Sequence, residues 1–179
     1  MFCPAVLKDA AMSDTPAIDH TAFDFDNPLH GIEAVRAAIP HRFEFEMLTG
    51  VLHVDPVAKL IVGFKDLAPD AFWTRGHLPG FPIFPGVLMC EAAAQLTAFY
   101  YMTQGVGPTG VLMGLGAMDD ARFVRMVRPG ERLVLVGTGL KVHRRLTRFR
   151  VQGFVGKDPA FEATVTGVPL GILEDLRRA

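Results

Sequence analysis

GVLMCEAAAQLTAFYYMTQ, residues 86–104, is the segment on which the fold turns. Pro85 stands at its start, and Gly105 and Gly107-Pro108 follow its end. Proline opening a helix and glycine closing it is the ordinary punctuation of such a segment. The spacing predicts one helix from Pro85 to about Gln104. It is apolar nearly all round, so it must be enclosed rather than laid on a surface. The apolar run 86–102 is interrupted by Glu91, Gln95 and Thr97. It is also short for a membrane span.

The segments around it read as strands. Residues 43–54 and 57–66 are β-branched, aromatic and partly alternating, with Asp55-Pro56 as their turn. After the helix come four strand-like runs, about 110–127, 131–143, 147–157 and 160–170. Pro129-Gly130, Arg144-Arg145 and Asp158-Pro159 mark the turns between them. Asn27-Pro28 predicts a short helix ending near Ile39, before Pro40. No βαβ alternation is present, so a dinucleotide-type fold is excluded. The expected class is α+β, an antiparallel sheet wrapped around one long central helix. Residues 1–25 lack periodicity and read as a flexible extension, and residues 26–179 as a single domain. Met12 is an alternative start.

The composition is that of an ordinary globular chain, and its net charge of −1 favours neither nucleic acid nor membrane. The charges are unevenly placed. Nine of the 18 basic residues lie between Arg122 and Arg150. Cys3 and Cys90, one in the extension and one in the apolar helix, predict no disulfide and a reducing compartment. The N-terminus lacks the apolar core of a signal peptide, so the expected location is cytoplasmic. The histidines at 20, 30, 41, 53 and 143 show no metal-ligand spacing, and His41 reads as structural.

Glu91 is the anomaly of the central helix. An ionised carboxylate buried without a partner is costly, so it must neutralise, pair, or face a polar cavity or a gap to solvent. Its one polar helical neighbour is Gln95 at i+4. His77 lies just upstream, in a loop stiffened by Pro79, Pro82 and Pro85. The first N–H groups of the helix, at Gly86 and Val87, lack intrahelical partners and suit developing negative charge. A base of near-neutral pKa, a desolvated acid and an oxyanion site together suit proton transfer beside a carbonyl. Cys90 reads as a packing residue rather than a nucleophile.

The motif G-H-x-P-x-x-P-x-x-P-G-V-L-x-x-E-A-x-A-Q, residues 76–95, resembles the signature of bacterial 3-hydroxyacyl-[acyl-carrier-protein] dehydratases of the FabZ type. Ile39-Pro40-His41-Arg42 and the stretch from Arg122 to Glu131 are similar to two further segments of that family. The likeness spans residues 28–170 and departs at Leu78, where the family has phenylalanine. The resemblance implies the hot-dog fold. It also implies a homodimer, or a trimer of dimers, with each site shared between subunits. It carries the catalytic histidine onto His77 and the catalytic acid onto Glu91. Gly86 falls where a backbone N–H polarises the thioester carbonyl, and Gln95 on the family's glutamine.

The implied reaction is loss of water from a 3-hydroxyacyl thioester, giving a trans-2-enoyl thioester, with no metal or nucleotide required. The implied partner is an acyl carrier protein. Such carriers are acidic, so Arg144, Arg145 and Arg148 become docking residues, against the plainer reading of a solvated strand face. Two rival functions stand on the same fold: an acyl-thioesterase and a non-catalytic acyl-binding protein.

Overall fold

The computed structural model describes residues 16–178. The central helix α2 spans Gly86–Thr103, within a residue of the expected bounds. Around it run six strands: β1 (Gly50–Asp55), β2 (Leu60–Asp66), β3 (Val111–Phe123), β4 (Arg132–His143), β5 (Leu146–Val155) and β6 (Asp158–Ile172). They form one sheet in the order β1-β2-β4-β5-β6-β3, and every neighbouring pair is antiparallel. A short helix α1 (Ile32–Ala38) precedes the sheet, and α3 (Leu173–Leu176) follows it.

Strand alternation decides what each face of the sheet covers. Ile61, Leu133, Leu135, Phe149, Val151, Phe161, Ala163 and Val165 point inward. They share one core with Met89, Ala92, Ala93, Leu96 and Phe99 of α2. Gly63 of β2 lets the helix come close. A Cβ placed there would lie 2.6 Å from Leu96 Cδ1 and 3.1 Å from the Gly50 carbonyl oxygen. The opposite face of β2, β4 and β5 carries Val62, Phe64, Val134, Val136 and Phe154, which form a second apolar cluster.

That outer cluster corrects the reading of the N-terminus. Residues 1–15 lie outside the described residues, but Ile18, Phe23 and Phe25 pack on the outer face of the sheet. The His20 ring stacks on Phe154 at 4.1 Å, and its Nε2 lies 2.8 Å from the Gly156 carbonyl oxygen, to which it donates. The Arg132 guanidinium lies over the Phe25 and Phe64 rings at 4.5 and 4.8 Å and is paired with Asp66. Residues 18–25 are a strap, not a loose tail. Their apolar side chains remove the exposed half of β2 and β4 from water.

Three local expectations also change. α1 begins at Ile32, with Gly31 before it, because the Asn27 side chain donates to Asp24 instead of capping a helix. The strand expected from residue 43 begins at Gly50, and Phe43–Phe45 form a 3₁₀ turn. Side chains hold this stretch across the ladder direction: Arg36 grips Glu46 through two bonds of 2.7 and 2.9 Å, and Lys65 donates to the Glu46 carbonyl. Asp158-Pro159 belongs to β6, and the turn is Gly156-Lys157, where Gly156 takes φ +58°. Pro159 sits beside a register shift at Gly153/Phe154, where a missing N–H is tolerated.

Replacing Gly63 by valine should force Leu96 and the Gly50 backbone apart. We expect Gly63→Val to lower unfolding free energy by about 1–3 kcal/mol, read as a lower urea midpoint.

Candidate active site

The loop between β2 and α2 is stiff for reasons visible residue by residue. Its turns close through Thr74 N–H to Ala71 C=O, His77 N–H to Trp73 C=O and Phe81 N–H to Leu78 C=O. Trp73 and Phe84 are buried against each other with ring centroids 5.3 Å apart. The Phe84 N–H is anchored on the Val127 carbonyl at 2.7 Å. His77 is half-buried in this loop, with Nδ1 2.8 Å from the Ile83 carbonyl oxygen. A carbonyl only accepts, so Nδ1 carries the hydrogen and Nε2 of the neutral ring keeps its lone pair.

At the start of α2, Pro85 supplies the carbonyl for the Leu88 and Met89 N–H groups, and no side chain caps the helix. The Gly86 and Val87 N–H groups make no hydrogen bond among the described residues. Gly86 is overlaid by the Phe123 ring, which a Cβ would meet at 2.9 Å. The helix end is therefore walled by an aromatic of β3, while Val87 is 74% exposed.

Glu91 lies one and a half turns further along. Gln95 Nε2 donates to Glu91 Oε1 at 2.7 Å and to the Phe45 carbonyl at 2.7 Å, while Gln95 Oε1 accepts the Met47 N–H at 3.0 Å. Gln95 is 1% exposed, and both hydrogens of its amide are used. This residue ties the acid to the 3₁₀ turn. Its hydrogen bonds to Glu91, Phe45 and Met47 are positioning contacts. His41 Nε2 also faces the same oxygen, 3.5 Å from Glu91 Oε1. Burial pushes the His41 imidazole below its ordinary pKa, against the opposing pull of Glu91. His41, Glu91 and Gln95 share a narrow cavity of about 70 Å³ whose far wall is Met113, Val165 and Gly167.

The structure thus brings Glu91, Gln95 and His41 together. His77 is not among the residues lining that cavity. His41, which the sequence reading takes as structural, is the neighbour of Glu91 that the sequence does not indicate. Fifty positions separate it from Glu91, and no periodicity links them. Cys90 is half-buried, and burial raises its thiol pKa, which disfavours the thiolate. No group of three or more potential metal ligands occurs among the described residues. No described helix is long and apolar enough to cross a membrane.

The basic run is largely spoken for. Arg122 and Arg150 pair with Glu162, Arg125 with Glu131, and Arg148 with Asp119 at 3.6 Å. Arg144 and Arg145 sit exposed in the β4–β5 turn with no ion pair among the described residues. The Tyr101 hydroxyl holds that turn by donating to the Arg144 carbonyl at 2.8 Å.

Residues 39–164 match the model of the FabA-like domain. The chain is 36% identical over 135 residues to proteins named 3-hydroxyacyl-[acyl-carrier-protein] dehydratase FabZ from Blochmanniella pennsylvanica and from Escherichia coli, covering 75% of this chain and 89% of each relative. Among solved structures, the dehydratase heterocomplex ApeI:P from Xenorhabdus doucetiae superposes with a TM-score of 0.66 at 14% identity, over 81% of this chain and 97% of that one. A thioesterase superfamily member from Thermus thermophilus gives 0.54 at 18% identity, over 66% and 88%. Both likenesses speak for the hot-dog fold, the sheet-around-helix architecture described above.

Gln95→Leu keeps the bulk of the side chain but strands the buried Met47 N–H. We expect a loss of about 1–3 kcal/mol in a denaturant titration.

Proposed function

Because the chain belongs to the FabA-like family, we propose that it removes water from 3-hydroxyacyl thioesters carried on an acyl carrier protein, giving trans-2-enoyl thioesters. The observation that carries the reading is Glu91. It is a half-buried carboxyl in the wall of a cavity, on an apolar helix, with Gln95 bonded to one oxygen and no arginine or lysine paired with it among the described residues. An acid so placed is arranged to hand over a proton rather than to anchor a salt bridge.

In this reading His77 Nε2 takes the proton from C2 of the acyl chain. The electron pair moves toward the thioester carbonyl, and the charge on its oxygen is met by the Gly86 and Val87 N–H groups at the head of α2. The C3–O bond breaks as Glu91 gives its proton to the leaving hydroxyl, which departs as water. The His77 ring supports this role because its Nδ1–H is already committed to Ile83, leaving Nε2 as the base. Gln95 holds the acid through its hydrogen bond to Oε1, and we assign it that part rather than direct contact with substrate.

Within one chain His77 does not line the cavity that holds Glu91, which favours a homodimer whose sites each take His77 from one subunit and Glu91 from the other. β3 supports the same arrangement. It is one edge of the sheet, exposes Leu115 and Phe123, and has its ladder groups open on one side. We place the protein in the cytoplasm with its carrier. Arg144 and Arg145 are the exposed basic residues available to an acidic carrier, with Arg148 less so because it faces Asp119.

The test is hydration of a trans-2-enoyl thioester. His77→Ala and Glu91→Gln should each lower the rate by about 10²–10⁴-fold, and a substantial rate in either would sink the assignment. Release of free thiol without enoyl product would point to the thioesterase instead. Subunit sharing has its own measurement. Unfolding and refolding the two inactive variants together should restore about a quarter of wild-type activity, since half the dimers are mixed and each has one intact site. No recovery would place both residues in one chain's site.

A further inference from the structure

Glu91 Oε1 is approached by two nitrogens from different parts of the chain. Gln95 Nε2 donates to it at 2.7 Å from within α2, and His41 Nε2 stands 3.5 Å away in the turn after α1. Glu91 Oε2 has no partner among the described residues. The other nitrogen of His41, Nδ1, is buried and has no hydrogen-bond partner. These facts belong together. A ring with a hydrogen on Nδ1 would bury an N–H with no acceptor, which costs more than a bare lone pair that merely goes unused. The hydrogen therefore sits on Nε2, which faces Glu91 Oε1 at 3.5 Å. Burial acts in the same direction by holding the ring neutral, and the charge of Arg42 adds to it, while Glu91 opposes it.

The turn that carries His41 is built to hold it still. The Arg42 guanidinium donates to the carbonyls of Arg36 at 2.7 Å, Ile39 at 2.8 Å and His41 at 2.6 Å. This closes the backbone on itself just where the imidazole leaves it. The ring lies in the wall of the same cavity as Glu91. A contact of 3.5 Å is long for a hydrogen bond, and catalytic hydrogen bonds commonly tighten once substrate fills the site.

We infer that His41 is a positioning residue for the acid: its Nε2–H and the Gln95 amide together fix Oε1 as the carbonyl oxygen of protonated Glu91, so that the transferable proton sits on Oε2. A neutral carboxyl accepts well at its carbonyl oxygen and donates from its hydroxyl. Two donors on Oε1 therefore select one of the two ways of placing the proton. Without them the proton is shared between the oxygens, and part of the population presents the wrong one to the leaving hydroxyl. The effect falls on the chemical step, not on thioester binding. The inference rests on the dehydratase reading for its kinetic consequence, but not for its geometry.

Two measurements on the full-length chain test it. The first is ¹⁵N NMR of the histidine rings at neutral pH, with His41 assigned by its loss in His41→Gln. The expected state is a neutral ring protonated at Nε2; an Nδ1–H tautomer or an imidazolium overturns the inference. The second is steady-state dehydration of a 3-hydroxyacyl thioester. His41→Ala should lower kcat by about 10–100-fold with KM changed by less than about three-fold. His41→Gln, whose amide nitrogen reaches the Nε2 position, should recover most of that loss. His41→Asn, whose amide ends at the Nδ1 position, should not. Unchanged kcat in His41→Ala, or equal activity of the Gln and Asn variants, overturns it. A wild type that turns over no 3-hydroxyacyl thioester would defeat the dehydratase reading, and the ring tautomer would still decide the place of His41.

Discussion

A helix with apolar side chains on every side cannot rest on a surface, and the rest of this molecule is arranged to meet that constraint. The strands wrap α2, and β2, β3, β4, β5 and β6 all touch it. Close approach requires small residues where backbone meets helix, and Gly63 facing Leu96 is the clearest case. The same enclosure gives Glu91 its meaning. A carboxyl on an exposed helix would be one more solvated charge. On α2 it must be satisfied by groups brought from elsewhere, and Gln95, His41 and the turn at 43–47 are brought to it. Packing and chemistry here are two results of a single requirement.

What could be read from the residues follows how local each signal is. The central helix and five of the six strands were legible because period and turn chemistry lie within a few positions. β1 was placed too early, since Phe43 and Phe45 look like strand residues. Their conformation is set by Arg36, Lys65 and Gln95, which lie 10 to 50 positions away from the residues they hold. Asp158-Pro159 carries a stronger turn signature than Gly156-Lys157, yet the left-handed φ at Gly156 makes the tighter connection. The strap at 18–25 has no period because it is neither helix nor strand. Its apolar residues are spaced to meet the rows of an outer sheet face that does not exist until the sheet forms.

The same division holds at the site. His77, Gly86, Glu91 and Gln95 stand within twenty positions, so a stiff loop, a helix end and a lone acid could be singled out from the residues alone. His41 could not. Its contact with Glu91 arises only when the turn after α1 folds over the side of α2, and the sequence around it reads as a chain crossing between elements. Nor could the sequence say what Gln95 does with its amide. Its partners at 45 and 47 lie almost fifty positions upstream.

The arginine-rich stretch shows why a run of charge has to be resolved residue by residue. Along β3, β5 and β6 the arginines face acids across the ladder. Arg150 and Glu162 are held at 2.8 Å with Glu162 only 6% exposed, so their fields largely cancel at a distance. Pairs that stay exposed, such as Arg148 with Asp119, add little stability, but they do neutralise the surface they occupy. The β4–β5 turn differs. Lys141, Arg144 and Arg145 project from a hairpin end where no acid faces them among the described residues. Screening in salt acts over about 8 Å, so only charge left uncompensated on that scale can guide an approaching acidic surface. Within this run the unpaired basic side chains therefore gather at one hairpin tip, although the basic residues themselves are spread over three strands.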